Sequence, residues 1–110
     1  MDIENSKAQM RKGVLEFCIL SVLAENEKYA SDIIAALKDA QLLIVEGTLY
    51  PLLTRLKNEG LLSYRWEEST SGPPRKYFTL TETGRVFLKE LTAAYILQTN
   101  AVEKIIKQQL

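Results

Sequence analysis

The alternation of apolar and polar positions divides this chain into helical and strand segments. From Met10 to Ala24, the positions Val14, Leu15, Phe17, Cys18, Ile19, Leu20, Val22 and Leu23 put apolar side chains on most sides with no proline. That predicts a first helix buried nearly all round. Glu25-Asn26-Glu27-Lys28 breaks the pattern. Ser31 with Asp32 then offers an N-cap, and Ile33, Ile34 and Leu37 at helical spacing predict a short amphipathic second helix to about Gln41. Leu42-Leu43-Ile44-Val45 runs directly into the turn signal Glu46-Gly47-Thr48, so it reads as a connector packed on the core, with a short strand as the alternative.

In the next segment Leu49, Leu52, Leu53 and Leu56 follow an i, i+3, i+4, i+7 pattern, leaving Tyr50, Pro51, Thr54, Arg55 and Asn58 on the other faces. Proline has no backbone donor and fits the first turn of a helix, so the third helix is expected to start near Thr48, which serves as its N-cap. Gly60 is its stop signal. Leu61 to Trp66 and Arg75 to Leu80 read as two short strands of a hairpin whose tip, Glu67 to Pro74, is polar and rich in turn residues. Thr81 caps a last helix reaching toward Leu110, along which Leu88, Leu91, Tyr95, Gln98, Val102 and Ile105 recur with steps of three and four. Phe87, Ile96 and Ile106 widen that stripe beyond what so small a domain can cover alone.

The expected fold class is therefore mainly α with a small β-hairpin: a winged helix-turn-helix over residues 1–80, plus a long C-terminal dimerisation helix over 81–110, forming one compact domain. Its length of 110 residues suits one domain with a modest core that gains from a partner chain. The start of the chain does not read as a signal peptide, and the apolar run Val14 to Ala24 is far shorter than the roughly 20 residues that span a bilayer. A cytoplasmic protein with no membrane partner is expected.

Candidate chemistry narrows the function further. One cysteine, Cys18, rules out an intrachain disulfide, and the absence of histidine removes the commonest zinc ligand and the commonest general base near neutral pH. No catalytic constellation is present, so neither an enzyme nor a cofactor is expected. Formal net charge is zero, with 14 basic and 14 acidic residues, which argues weakly against nucleic acid. Its distribution argues the other way. Lys7, Arg11 and Lys12 cluster near the start, and Arg55, Lys57, Arg65, Arg75 and Lys76 in the middle.

On a winged helix-turn-helix those positions point to double-stranded DNA. Thr48, Tyr50, Pro51, Thr54 and Arg55 belong to the helix that would enter the major groove. Arg75 and Lys76 on the hairpin would follow the backbone or minor groove, and Lys12 would add a backbone contact. Four sets have a plainer alternative: Tyr50 as an edge residue of the core, Arg55 pairing with Glu59 four residues on, Arg75 and Lys76 protecting a strand edge by charge while Glu67 and Glu68 across the hairpin oppose phosphate contact, and Lys12 on a solvated helix start. Trp66 and Tyr64 alternate with Leu62 and read as cross-strand packing, and Cys18 as a buried structural thiol. Leu88, Leu91, Tyr95, Val102 and Ile105 are the expected dimer seam. A winged-helix module that binds protein instead of DNA is the competing reading that zero net charge permits.

Several motifs resemble one family, the PadR transcriptional regulators of bacteria. They are Gly47-Thr48-Leu49-Tyr50-Pro51-Leu52-Leu53, Arg55-Leu56, Gly60-Leu61-Leu62, Gly72-Pro73, Arg75-Lys76-Tyr77-Phe78, Leu80-Thr81 and Gly84, with Gly13-Val14-Leu15 and Tyr29-Ala30-Ser31-Asp32-Ile33 before them. The resemblance implies a homodimer that binds palindromic operator DNA, usually as a repressor, through the third helix and wing, and pairs through the last helix with help from the first. A single C-terminal helix resembles the smaller subfamily. Some of its members hold planar hydrophobic drugs between the paired helices with a tryptophan. This chain departs there, since its only tryptophan is Trp66 in the first wing strand. The resemblance thus leaves any small-molecule effector unidentified.

Overall fold

In the computed structural model, which describes residues 1–108, helix α1 runs from Ile3 to Glu25, starting well before the predicted Met10. Asp2 is its N-cap, accepting from the Glu4 backbone N–H at 3.0 Å, and Glu4 adds negative charge at the positive helix end. The extra turns carry almost wholly exposed side chains, so no apolar periodicity marks them in the sequence. Burial all round is also corrected. Leu15, Ile19, Leu20 and Leu23 are buried, whereas Val14, Phe17, Cys18 and Val22 are half-buried, because α4 covers the second face only in part among the described residues.

A two-residue strand β1 (Lys28–Tyr29), absent from the sequence reading, leads into α2 (Ala30–Asp39). Tyr29 is the N-cap residue in place of the predicted Ser31, and the Asp32 carboxylate accepts from the Tyr29 N–H at 3.1 Å. The helix closes with Gln41 in the left-handed region (φ 71°), the Leu42 N–H reaching the Leu37 carbonyl at 2.8 Å. The same closure, with Gly60 at φ 79° and the Leu61 N–H on the Leu56 carbonyl at 3.0 Å, ends α3 (Glu46–Asn58). Leu42 to Val45 form a connector and no strand.

Helix α3 departs from expectation at its start. The Thr48 and Leu49 N–H groups both donate to the Val45 carbonyl at 3.0 Å, so Val45 and not Thr48 is the N-cap. Pro51 therefore sits in the second turn, where the Gly47 carbonyl lacks its usual donor; Gly47 is exposed, so water can satisfy that oxygen.

The hairpin strands β2 (Leu62–Glu67) and β3 (Arg75–Leu80) pair antiparallel from Leu62 opposite Leu80 to Glu67 opposite Arg75, and β1 joins the other edge of β3. Leu62, Phe78 and Leu80 turn one sheet face inward onto Ile19, Leu20, Leu23, Ile33, Leu37, Leu49, Leu53 and Leu56. Each fully buried Leu or Ile contributes about 1.5–3 kcal/mol, which is what holds α1, α2, α3 and a small sheet together.

Thr81 caps α4 (Glu82–Lys107) as predicted, accepting from the Gly84 N–H at 2.9 Å. The last two positions of the predicted 81–110 segment lie outside the described residues. Leu88 packs against the core, Leu91 and Tyr95 still face α1, and the described residues from Asn100 onward are exposed. The radius of gyration is accordingly 16.1 Å, above the about 13 Å of a compact chain this long.

Candidate nucleic-acid interface

The chain brings the first turns of α2 and α3 and the start of β3 around one exposed cleft. It measures about 320 Å³ and is lined by Tyr29, Ala30, Ser31, Glu46, Tyr50, Trp66, Pro74, Arg75 and Lys76. Tyr50 reaches it because the buried positions Leu49, Leu53 and Leu56 fix the rotation of α3 and turn its side chain outward. Thr48, Pro51 and Thr54 are exposed on the same helix. Both N-termini lie on the positive side of a helix dipole, which favours phosphate, while Asp32 and Glu46 place a carboxylate in each first turn that opposes it.

Two cations face the cleft, each held by aromatic rings. Arg75 donates to Ser31 Oγ at 3.0 Å and lies 4.2 Å over the Tyr29 ring. Lys76 Nζ stands 4.4 Å from the Tyr64 ring centre and 5.5 Å from that of Trp66. The expected opposition from Glu67 is answered by a third cation: Arg65 pairs with Glu67 and, at 2.7 Å, with Glu27. Hydrogen bonding and attraction from Glu27 and then Glu67 push the Arg65 guanidinium above its ordinary value, and Arg65 holds the Glu27 carboxyl below its own.

Arg55 goes elsewhere. It pairs with Glu16 at 3.2 Å and with Glu59 at 3.9 Å, beside a groove of about 290 Å³ between α1, α3 and α4 that Val14, Phe17, Leu91 and Tyr95 also line. Lys12 is exposed on α1 and borders neither cleft nor groove. The structure thus gathers Tyr50, Arg75 and Lys76, and leaves Arg55 and Lys12 apart from them.

Six cleft residues escaped the sequence reading: Tyr29, Ala30, Ser31, Glu46, Trp66 and Pro74. Ser31 was assigned to a helix cap and Glu46 to a turn, and the pairings that draw them in span long sequence separations. Trp66 does pack edge-on against Tyr64, with ring centres 6.1 Å apart, but 60% of it is exposed at the cleft wall. Counting back along the hairpin pairs Trp66 with Lys76, and that register was the available signal.

Of the expected seam, Leu88 and Leu91 are half-buried within the chain, and Tyr95 packs on Phe17 with ring centres 5.1 Å apart. Val102 and Ile105 are exposed, as are Phe87, Ile96, Leu97 and Ile106. Burial pushes the half-buried Cys18 thiol upward, away from the reactive thiolate. Among the described residues no group of His, Cys, Asp and Glu could hold a metal, and no helix is long and apolar enough to cross a membrane.

A helix-turn-helix followed by a basic, aromatic-rich wing defines a winged-helix protein of the DNA-binding class. The sequence pattern of the transcriptional regulator PadR-like family matches residues 19–90, and the chain belongs to that family of DNA-binding regulators. It is 59% identical to a PadR-like transcription factor of Bacteroides fragilis, with a TM-score of 0.78 over 92% of this chain and 98% of that one. A PadR family regulator of Eggerthella lenta is 32% identical with a TM-score of 0.86, covering 94% and 91%. A PadR-like regulator of Bacillus cereus is 33% identical with a TM-score of 0.78, covering 89% and 96%.

Proposed function

We propose that the protein is a homodimeric repressor of the bacterial cytoplasm that binds palindromic operator DNA, using residues 1–80 to grip DNA and α4 to pair. The observation that carries this reading is the convergence of Tyr50, Arg75 and Lys76 on one cleft between the first turn of α3 and the wing. With α3 in the major groove, Tyr50 meets base edges while Thr48, Pro51 and Thr54 line the same surface. Arg75, Lys76 and Ser31 meet phosphates, and Trp66 packs against sugar. Arg55 and Lys12 supply outer backbone contacts, Arg55 only by giving up its carboxylates.

Pairing is supported by the apolar stripe of α4 together with the uncovered face of α1. Phe87, Tyr95, Ile96, Val102 and Ile105 are more exposed apolar surface than a chain of this size leaves to water without a partner. Leu88 and Leu91 anchor the near end of the seam, and a second α4 laid along the Phe17–Tyr95 groove would cover it. Two-fold pairing presents two α3 helices to two half-sites about 34–36 Å apart, hence an inverted repeat.

The test is binding to a labelled fragment of the DNA upstream of the coding gene, titrated against random competitor at two salt concentrations. Protection of one inverted repeat, weakening steeply with salt, is the expected result. Binding without sequence preference, or affinity indifferent to salt, would overturn it.

A further inference from the structure

We infer that Tyr29 and Tyr77 are positioning residues that hold the Arg75 guanidinium ready for a DNA phosphate, with Arg65 clamping the far side of the stack and not touching DNA. The inference rests on the interface proposed above and goes beyond it by separating the two wing arginines into different tasks.

Both arginines and both tyrosines lie on the sheet face that the core does not use, since Phe78 and Leu80 alternate to the other side. Tyr77 on the central strand is flanked in register by Tyr29 on β1 and Arg65 on β2. The two tyrosine rings stack at 4.3 Å with an angle of 28° between their planes. Arg75 caps the Tyr29 ring at 4.2 Å, and the Arg65 guanidinium faces the Tyr77 ring at 4.8 Å. Four planar groups therefore follow one another across the sheet as cation, ring, ring, cation.

The two ends differ in what their N–H groups meet. Arg65 reaches from β2 across the central strand to Glu27, just before β1, with Nη2 on one carboxylate oxygen at 2.7 Å and Nε on the other at 3.3 Å, and it also pairs with Glu67. Its donors are committed, and the strap ties both sheet edges together. Arg75 meets no carboxylate among the described residues; its one polar partner is Ser31 Oγ at 3.0 Å. Stacking engages the face of a guanidinium and leaves its in-plane donors free, which is the geometry that grips a phosphate with two hydrogen bonds. A long side chain already held in that pose loses less rotamer freedom on binding. The position of Arg75 at the cleft between the α2 and α3 N-termini supplies the place where a phosphate would sit.

The experiment measures affinity for the protected operator against salt concentration in the full-length protein. Arg75→Ala is expected to lower affinity about tenfold and to reduce the slope of log affinity against log salt by about 0.9, the loss of one phosphate contact. Tyr29→Leu should lose several-fold in affinity with part of that slope, Tyr29→Phe should restore both, and adding Tyr29→Leu to Arg75→Ala should cost nothing more. Arg65→Gln should leave the slope unchanged. Ser31→Ala, an exposed substitution that does not endanger folding, loosens Arg75 from the other side and should also lower affinity. Far-ultraviolet circular dichroism confirms that each variant is folded. A slope lost in Arg75→Ala, with affinity and slope kept in Tyr29→Leu, overturns the positioning stack and leaves the interface standing, whatever Ser31→Ala does. A slope that falls in Arg65→Gln as in Arg75→Ala overturns the division of tasks. Wild-type protein without salt-sensitive operator binding overturns the interface itself.

Discussion

Gly84 in the first turn of α4 lies directly against the backbone carbonyl of Leu61: a Cβ at Gly84 would stand 1.9 Å from that oxygen and 2.8 Å from Leu80 Cδ1. The Leu61 carbonyl already accepts from the Thr81 N–H at 3.1 Å, and Thr81 Oγ1 donates to the Gly60 carbonyl at 2.6 Å. The nearer neighbour is a hydrogen-bonded backbone carbonyl and cannot swing aside as the Leu80 side chain could. Gly84→Ala should therefore destabilise the chain by about 1–3 kcal/mol or more, the usual cost of overpacking. Urea unfolding checks this, and a variant as stable as wild type would show that the α3–α4 joint is looser than its geometry indicates.

Tyr50→Ala should fold normally, because the ring is exposed and the buried leucines of α3 are untouched. Operator binding should weaken by about 1–3 kcal/mol, the scale of one good base-edge contact. Fluorescence anisotropy of the labelled operator reads the difference, and unchanged affinity would remove Tyr50 from the interface.

Val102→Glu combined with Ile105→Glu tests pairing without disturbing the monomer, since both side chains are exposed in the single chain. Burying two carboxylates at an apolar seam costs more than the about 1.5–3 kcal/mol that each lost apolar contact contributes, so the double variant should be monomeric by light scattering with its helix content intact. A persistent dimer would place the seam elsewhere.

The Glu27 carboxyl titrates below its ordinary 4.5 because Arg65 hydrogen-bonds it. A depressed folded-state value means that the folded chain binds this proton less readily than the unfolded one. The stabilisation is thus complete above the ordinary value and is lost as pH falls through the folded one. The ion pair is exposed, so the effect is small. Wild type should melt slightly above Glu27→Gln at pH 6 to 8, with no change across that range since the chain has no histidine, and the gap should shrink as pH falls below the ordinary 4.5. A gap of equal size at pH 3 and pH 7 would show that the carboxylate's charge is not its source.

The order of elements was legible because it rests on periodicity: Leu49, Leu53 and Leu56 mark α3 in the sequence and are buried in the fold. Helix beginnings were less so. Residues 3–9 of α1 carry no apolar rhythm, and at α3 the proline suggested a later start than the Val45 carbonyl allows. Tyr50, Arg75 and Lys76 could be assigned to one surface from motif order alone. The partners that orient the cations could not. Arg65 meets Glu27 across 38 positions and Arg75 meets Ser31 across 44, through a strand β1 of two residues that is too short to leave a pattern. Arg55 illustrates the reverse: its pairing with Glu59 follows from helical spacing, while the shorter bond to Glu16 needs the packing of α1 on α3.

The joint at Gly60, Leu61, Thr81 and Gly84 ties the helix proposed to read DNA to the helix proposed to meet a second copy. If those bonds hold, tilting α4 would carry the end of α3 with it, as a handle turns a key. In the proposed pair the distance between the two reading heads becomes a property of how the handles cross, far from the DNA. A modest change in that crossing would be magnified along a helix about 39 Å long, so the protein would act as a calliper whose setting is fixed at the end opposite its points.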